Sequence, residues 1–177
     1  SGLLIQEGHP DAAEQLLNTA LNKYPNETDL LFSRVIYYDS IGDREGSERD
    51  LQQIISMLPE DSRALNHLGY MLADQTTRYD EALELIERAI AISPDDPAII
   101  DSLGWALYKV GRFEEALVQM RRAFSAFPDD EVASHLGEVL WALERFDEAM
   151  RVWQDALESD PESPLILEAM ERLQVAE

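Results

Sequence analysis

The sequence predicts an all-α protein, a solenoid of stacked helix-turn-helix repeats, on three observations that run in one phase. Prolines recur at Pro25, Pro59, Pro94, Pro128 and Pro161, separated by 34, 35, 34 and 33 residues, the period of a helical-hairpin repeat. A second marker keeps step with them. Arg78-Tyr79-Asp80-Glu81-Ala82, Arg112-Phe113-Glu114-Glu115-Ala116 and Arg145-Phe146-Asp147-Glu148-Ala149 each end 12 residues before a proline, and Gly8-His9-Pro10-Asp11-Ala12-Ala13 precedes Pro25 in the same phase. The third marker is a small residue after a leucine, at Gly69, Gly104 and Gly137, answered in the following helix by Ala89, Ala123 and Ala156. Small side chains at those positions let neighbouring helices approach closely.

Taken in order, these anchors and the capping chemistry place helices near 10–23, 27–41, 44–57, 62–75, 79–92, 97–110, 113–126, 130–143, 146–159 and 163–175. Leu3 to Glu7 read as the tail of a helix whose start is missing, with Gly8 in its turn, so the chain is expected to begin mid-repeat inside a longer protein. The organisation is then a single solenoid over 1–177: a partial repeat 1–25, repeats 26–59, 60–94, 95–128 and 129–161, and a capping helix 162–177. Repeat 26–59 departs from the pattern, with Val35, Ser47 and Ile54 where the others carry Gly, Ala and Ala, and is expected to be the loosest or most bent unit. Gly69 to Ala82 spans 13 positions where Gly104 to Ala116 and Gly137 to Ala149 span 12, which puts one extra residue in the turn around Asp74 to Thr77. Asp96-Pro97 and Ser163-Pro164 are helix starts, a side-chain acceptor followed by a proline that needs no helical N–H. The last helix carries Leu165, Ile166, Leu167, Met170, Leu173 and Val175 and reads as a cap over the final repeat, at a natural C-terminus.

The 177 residues are 45% hydrophobic, enough for a packed core, and no apolar run is long enough to cross a bilayer. Ser1 to Glu7 lack the basic region and cleavage site of a signal peptide. Charge is lopsided: 36 acidic residues oppose 14 basic ones, a formal net of -22, and Lys23 and Lys109 are the lysines. Nucleic-acid binding depends on Lys and Arg neutralising phosphate, so nucleic acids and anionic lipid surfaces are poor partners and basic or neutral polypeptides good ones. Cysteine is absent, which removes disulfides, thiolate catalysis and Cys-ligated zinc. Of His9, His67 and His135, the last two stand at equivalent positions two repeats apart and cannot share a metal; the histidines read as polar residues on exposed or groove-facing helix sides. Asp95-Asp96 and Asp129-Asp130-Glu131 read as helix-start charges favoured by the dipole. No phosphate loop or nucleophile motif is present, so the expectation is no enzyme, no cofactor and no metal site.

The Leu-Gly, aromatic, Ala, Ala and Pro positions resemble the tetratricopeptide-repeat family over essentially the whole chain. The resemblance implies a right-handed superhelical solenoid whose first helix in each pair lines a concave groove. Positions one, four and five after the small-residue site then point inward. Carried onto this sequence, they give Tyr70, Ala73, Asp74, Trp105, Tyr108, Lys109, Glu138, Trp141 and Ala142, with Ile36, Asp39 and Ser40 from the degenerate repeat. A further inward position gives Phe32, Asn66, Asp101 and Ser134. The partner-binding groove is therefore expected at Phe32, Ile36, Asn66, Tyr70, Asp101, Trp105, Tyr108, Glu138 and Trp141, with its aromatics solvent-accessible as anchors for a polypeptide. The family's Lys/Asn/Arg carboxylate clamp is absent. Its positions read Asn66, Tyr70, Asp101, Trp105, Ser134 and Glu138, with Arg63 the only nearby cation, so a chaperone-tail receptor is not expected.

Leu65-Asn66-His67-Leu68-Gly69-Tyr70 and Asp101-Ser102-Leu103-Gly104-Trp105 also resemble the C-terminal region of proteobacterial repeat proteins, several of them outer-membrane lipoproteins facing the periplasm. Among these is a lipoprotein adaptor for a periplasmic carboxyl-terminal processing protease. That resemblance implies a non-catalytic scaffold tethering protease and substrates, held at the outer membrane by a lipid anchor elsewhere in the protein. A self-association module and the substrate-recruiting part of a larger enzyme are the alternatives.

Overall fold

The computed structural model describes residues 10–175 and contains ten α-helices and no strand among them. They are α1 (Pro10–Lys23), α2 (Thr28–Ile41), α3 (Arg44–Met57), α4 (Ser62–Gln75), α5 (Tyr79–Ile92), α6 (Pro97–Lys109), α7 (Phe113–Ala126), α8 (Asp130–Ala142), α9 (Phe146–Ser159) and α10 (Pro164–Arg172). Each expected helix is present within a few residues. The segment Leu3 to Glu7 and its Gly8 turn lie outside the described residues, as does His9. The chain divides into two compact units, 1–68 and 69–177, with the boundary inside α4.

In the first unit α2 packs against α1 and α3. Tyr37 and Tyr38 close over Ala13 and Leu17. The degenerate repeat is closely packed at its three departing positions: Val35, Ser47 and Ile54 are all fully buried. Ser47 fits there because its hydroxyl donates to the Val35 carbonyl and to the Asp39 carboxylate. Asp50 is buried too, and Arg34 donates to it through Nε at 2.6 Å and Nη2 at 2.8 Å, the bidentate geometry that a buried carboxylate needs.

In the second unit α5 to α9 pack in sequence, α6 also meets α8, and α10 lies mainly on α8. The small-residue positions mark close approaches. A Cβ built on Gly69 would meet Ile86 Cγ1 at 2.5 Å, on Gly104 Met120 Cε at 2.8 Å, and on Gly137 Trp153 Nε1 at 2.0 Å. The Arg-aromatic marker carries a repeated surface ion pair: Arg78 with Glu81, Arg112 with Glu115 and Arg145 with Glu148.

Two expectations are corrected. The extra residue around Asp74 to Thr77 lengthens the helix rather than the turn, since α4 has 14 residues where α6 and α8 have 13. Thr76 ends it by donating to the Leu72 carbonyl and accepting from the Arg78 N–H. Ser163 does precede α10, but its side chain makes no cap bond; the hydroxyl is buried without a partner. Asp96 and Asp129 do cap, accepting from the Ala98 and Val132 N–H groups.

Gly42 and Gly111 turn between paired helices at φ of 72° and 81°, and Glu144 occupies the equivalent turn at φ 60°. A side chain in that left-handed conformation costs on the order of 1 kcal/mol, so Glu144→Gly is expected to stabilise the protein by roughly that amount. Urea denaturation of the two proteins checks it; a less stable variant would mean that the Glu144 side chain makes a compensating contact.

Candidate functional site

A polar cleft in the second unit gathers Tyr70 and Asp74 from α4, Trp105 from α6, Glu131, Ser134, His135 and Glu138 from α8, and Glu168 and Arg172 from α10. Its volume is about 220 Å³. His135 is its centre. The imidazole is buried, stacks on Trp105 with ring centroids 4.1 Å apart, and faces Tyr70 at 6.1 Å. Trp105 stacks in turn on Tyr108 at 5.0 Å, and the Lys109 ammonium lies 4.4 Å from the indole centroid. Four rings from three helices thus form one run.

The electrostatics follow from burial. His135 Nδ1 lies 3.0 Å from Asp101 Oδ2, and both side chains are almost completely enclosed. Burial alone would lower the His135 pKa; the hydrogen bond to Asp101 and the charges of Asp101, Glu131 and Glu138 outweigh it and raise the pKa above its usual value. Burial pushes the Glu138 carboxyl up against the opposing pull of Arg172, whose guanidinium donates to it. The Tyr70 hydroxyl donates to Glu131 Oε1 at 2.6 Å, and burial with that bond raises its pKa. The Trp105 indole N–H is buried with no acceptor.

A raised folded pKa means that the His135 contribution to stability is fully present below the unfolded value of about 6.5 and is lost as pH rises through the folded pKa. Glu138, also raised, acts in the same direction. Stability is therefore expected to fall from mildly acidic to mildly alkaline pH, and His135→Gln to flatten that fall. Melting temperatures of both proteins between about pH 6 and pH 8 provide the check. Parallel curves would leave the dependence to the general acidity of the surface.

The structure brings Tyr70, Asp101, Trp105, Tyr108 and Glu138 together around His135, and it corrects their expected exposure. Trp105 is only 3% exposed, because His135 and Tyr108 cover it. Asp101 and Glu138 are buried at 6% and 3%, each spent on an internal partner rather than offered at a rim. Tyr70 and Tyr108 are half-buried. Trp141 is half-buried and packs on Phe146 at 4.6 Å and Trp153 at 5.9 Å, outside the run of rings. In the first unit Phe32 is buried beneath the Arg63 guanidinium, 3.6 Å from its ring centroid, so Phe32 is no accessible anchor either. Ile36 is exposed, and Asn66 holds its side-chain oxygen buried without a partner.

The expectation for His135 is an exposed or groove-facing side; it does line the cleft, but as a buried residue paired with Asp101. Its spacing signal was Asp101, 34 residues upstream and one repeat away. Arg172, a second cation beside the site, could not be found from the spacing of the first helices because α10 supplies it. Among the described residues no group of His, Asp and Glu is arranged to hold a metal ion, and no helix is long and apolar enough to cross a membrane.

Two family models described as tetratricopeptide repeat match this chain, one at residues 75–134 and 107–173 and the other at 32–97. The chain belongs to the tetratricopeptide-repeat family. Members of this family generally act as protein–protein interaction scaffolds on a fold that is generally non-catalytic. Over 135 residues, 76% of the chain, it is 43% identical to the TPR repeat-containing protein PA4667 of Pseudomonas aeruginosa. It spans only 23% of that relative's length. Among solved structures it is similar to TTC0263, a thermophilic TPR protein of Thermus thermophilus, with a TM-score of 0.75 and 21% identity over 97% of this chain and 92% of that one. MamA of Desulfovibrio magneticus gives a TM-score of 0.75 at 20% identity over 92% of both chains. These structural likenesses bear on the fold.

Proposed function

We propose that the chain is a non-catalytic adaptor module that binds polypeptides, tethering a periplasmic carboxyl-terminal processing protease and its substrates. Its place would be the periplasmic side of the outer membrane, through a lipid anchor elsewhere in the protein. The observation that carries the binding reading is the cleft of the second unit, where carboxylates surround a run of aromatic rings on a rigid helical frame. Similarity to a repeat protein of Pseudomonas aeruginosa supports the bacterial setting. An adaptor of this kind acts by raising the effective concentration of one partner near the other, without chemistry of its own.

The experiment is biolayer interferometry of the immobilised chain against a purified carboxyl-terminal processing protease. Saturable binding is expected. With a formal net charge of -22, the association rate should fall as salt shortens the reach of the field from about 30 Å at 0.01 M to about 3 Å at 1 M. Absence of binding would overturn the tethering reading, and a rate indifferent to salt would reduce the acidity to a solubility device.

A further inference from the structure

The cleft has a deficit of a particular kind. Five carboxylates surround or back it, Asp74, Asp101, Glu131, Glu138 and Glu168, against His135, Arg172 and the Lys109 ammonium beside the Trp105 ring. These cations are already committed, His135 to Asp101, Arg172 to Glu138 and Lys109 to the face of the Trp105 ring. Asp74 and Glu168 have no ion-pair partner among the described residues, and Glu131 has only the neutral Tyr70 hydroxyl. Arg172 shows what the site accepts: an arginine side chain 59% exposed delivers its guanidinium to a carboxylate only 4% exposed.

A second observation is independent of charge. Trp105 lines the same cleft, is 3% exposed, and its indole N–H has no acceptor. An unmatched buried donor costs roughly 1–3 kcal/mol. An acceptor is therefore wanted beside the place where a cation is wanted. At about 220 Å³ the cleft is smaller than the usual pocket of about 300–1,000 Å³ for a drug-sized ligand, and suits a single side chain.

We infer that this cleft captures one arginine side chain of a bound polypeptide, the guanidinium lying among Asp74, Glu131 and Glu168 beside the ring run, with a backbone carbonyl of the same polypeptide accepting from the Trp105 indole. Arginine fits better than lysine because its planar, weakly hydrated guanidinium both stacks on rings and binds carboxylates in two-point geometry. The inference rests on the polypeptide-binding reading and deepens it by naming the residue that is read.

The test is the indole N–H resonance of Trp105 in the nitrogen-15 spectrum of the whole chain, assigned by its loss in Trp105→Phe. The probes are a twelve-residue peptide, blocked at both ends and uncharged but for one central arginine, its twins with lysine or glutamine there, and ethylguanidinium, which has the guanidinium and no carbonyl. The arginine peptide is expected to move the Trp105 signal saturably, and the glutamine twin to bind at least tenfold more weakly. Asp74→Asn with Glu131→Gln, both on exposed residues, should erase that difference while the rest of the spectrum stays native. Equal affinity of the arginine and glutamine peptides, or a lysine twin binding as well as arginine, overturns arginine capture. Binding that leaves the Trp105 signal in place overturns the cleft and leaves the scaffold reading standing. Ethylguanidinium moving the signal as strongly as the peptide removes the backbone carbonyl from the inference. Protease binding that fails while the arginine peptide behaves as expected sinks the tethering reading instead.

Discussion

Gly137→Ala is expected to destabilise the protein by about 3 kcal/mol, although it adds one methyl group and replaces glycine by a better helix former. The added carbon would lie 2.0 Å from Trp153 Nε1 and 2.2 Å from its Cε2. The indole cannot move aside: it is fully buried, it packs on Trp141, and its N–H donates to the Ser134 carbonyl. Gly104 is the internal control. A Cβ there meets Met120 at 2.8 Å from Cε and 3.1 Å from Sδ, the far end of a flexible thioether. The gain of about 1 kcal/mol in helix propensity then offsets a small rearrangement, and Gly104→Ala should lie within about 1 kcal/mol of the parent. Gly104→Leu has no such escape and should cost about 1–3 kcal/mol. Circular dichroism during thermal and urea denaturation separates the variants. A melting temperature unchanged by Gly137→Ala would mean that α8 and α9 are further apart than described. Partial recovery on adding Trp153→Leu would assign the loss to the indole.

The same glycines show why so much of the fold was legible in the sequence. A residue chosen for lack of a side chain, recurring in phase with a proline and an Arg-aromatic marker, reports a helix contact directly, and each of the three glycines sits at one. Helix ends were legible for the same reason at Asp96 and Asp129, where a short acceptor next to an N-terminus has one strong use. Ser163 has the same chemistry and failed, because the α9–α10 connection encloses its hydroxyl instead of turning it to the helix. The site was legible in position and not in environment. Repeat phase brought Tyr70, Asp101, Trp105, Tyr108 and Glu138 to one region, but it cannot say whether a ring at an inward position is open or covered. Coverage depends on what the next repeat presents: His135 for Trp105, Arg172 for Glu138. Those partners lie 30 and 34 residues further along the chain, and neither is part of the repeat marker.

Trp105→Ala is therefore expected to act on folding before it acts on binding. Removing a covered aromatic costs about 3–5 kcal/mol through lost burial and the cavity left behind. Here the loss also uncovers the stacked His135 and weakens the enclosure of its ion pair with Asp101. Trp105→Phe keeps a ring between His135 and Tyr108 and removes an N–H that has no acceptor, so it should lose less than half as much. Trp141→Ala takes away a half-buried ring and falls between them, because Trp153 beneath it keeps its own hydrogen bond. Urea midpoints of the three variants give this order directly. The order also decides how binding data are read: weaker peptide binding by Trp105→Ala says nothing of a contact while the fold is damaged, whereas weaker binding by the folded Trp105→Phe isolates the indole N–H. If Trp105→Ala melts with the parent, the indole is not held between His135 and Tyr108, and the ring returns to the list of open anchors that the repeat phase predicts.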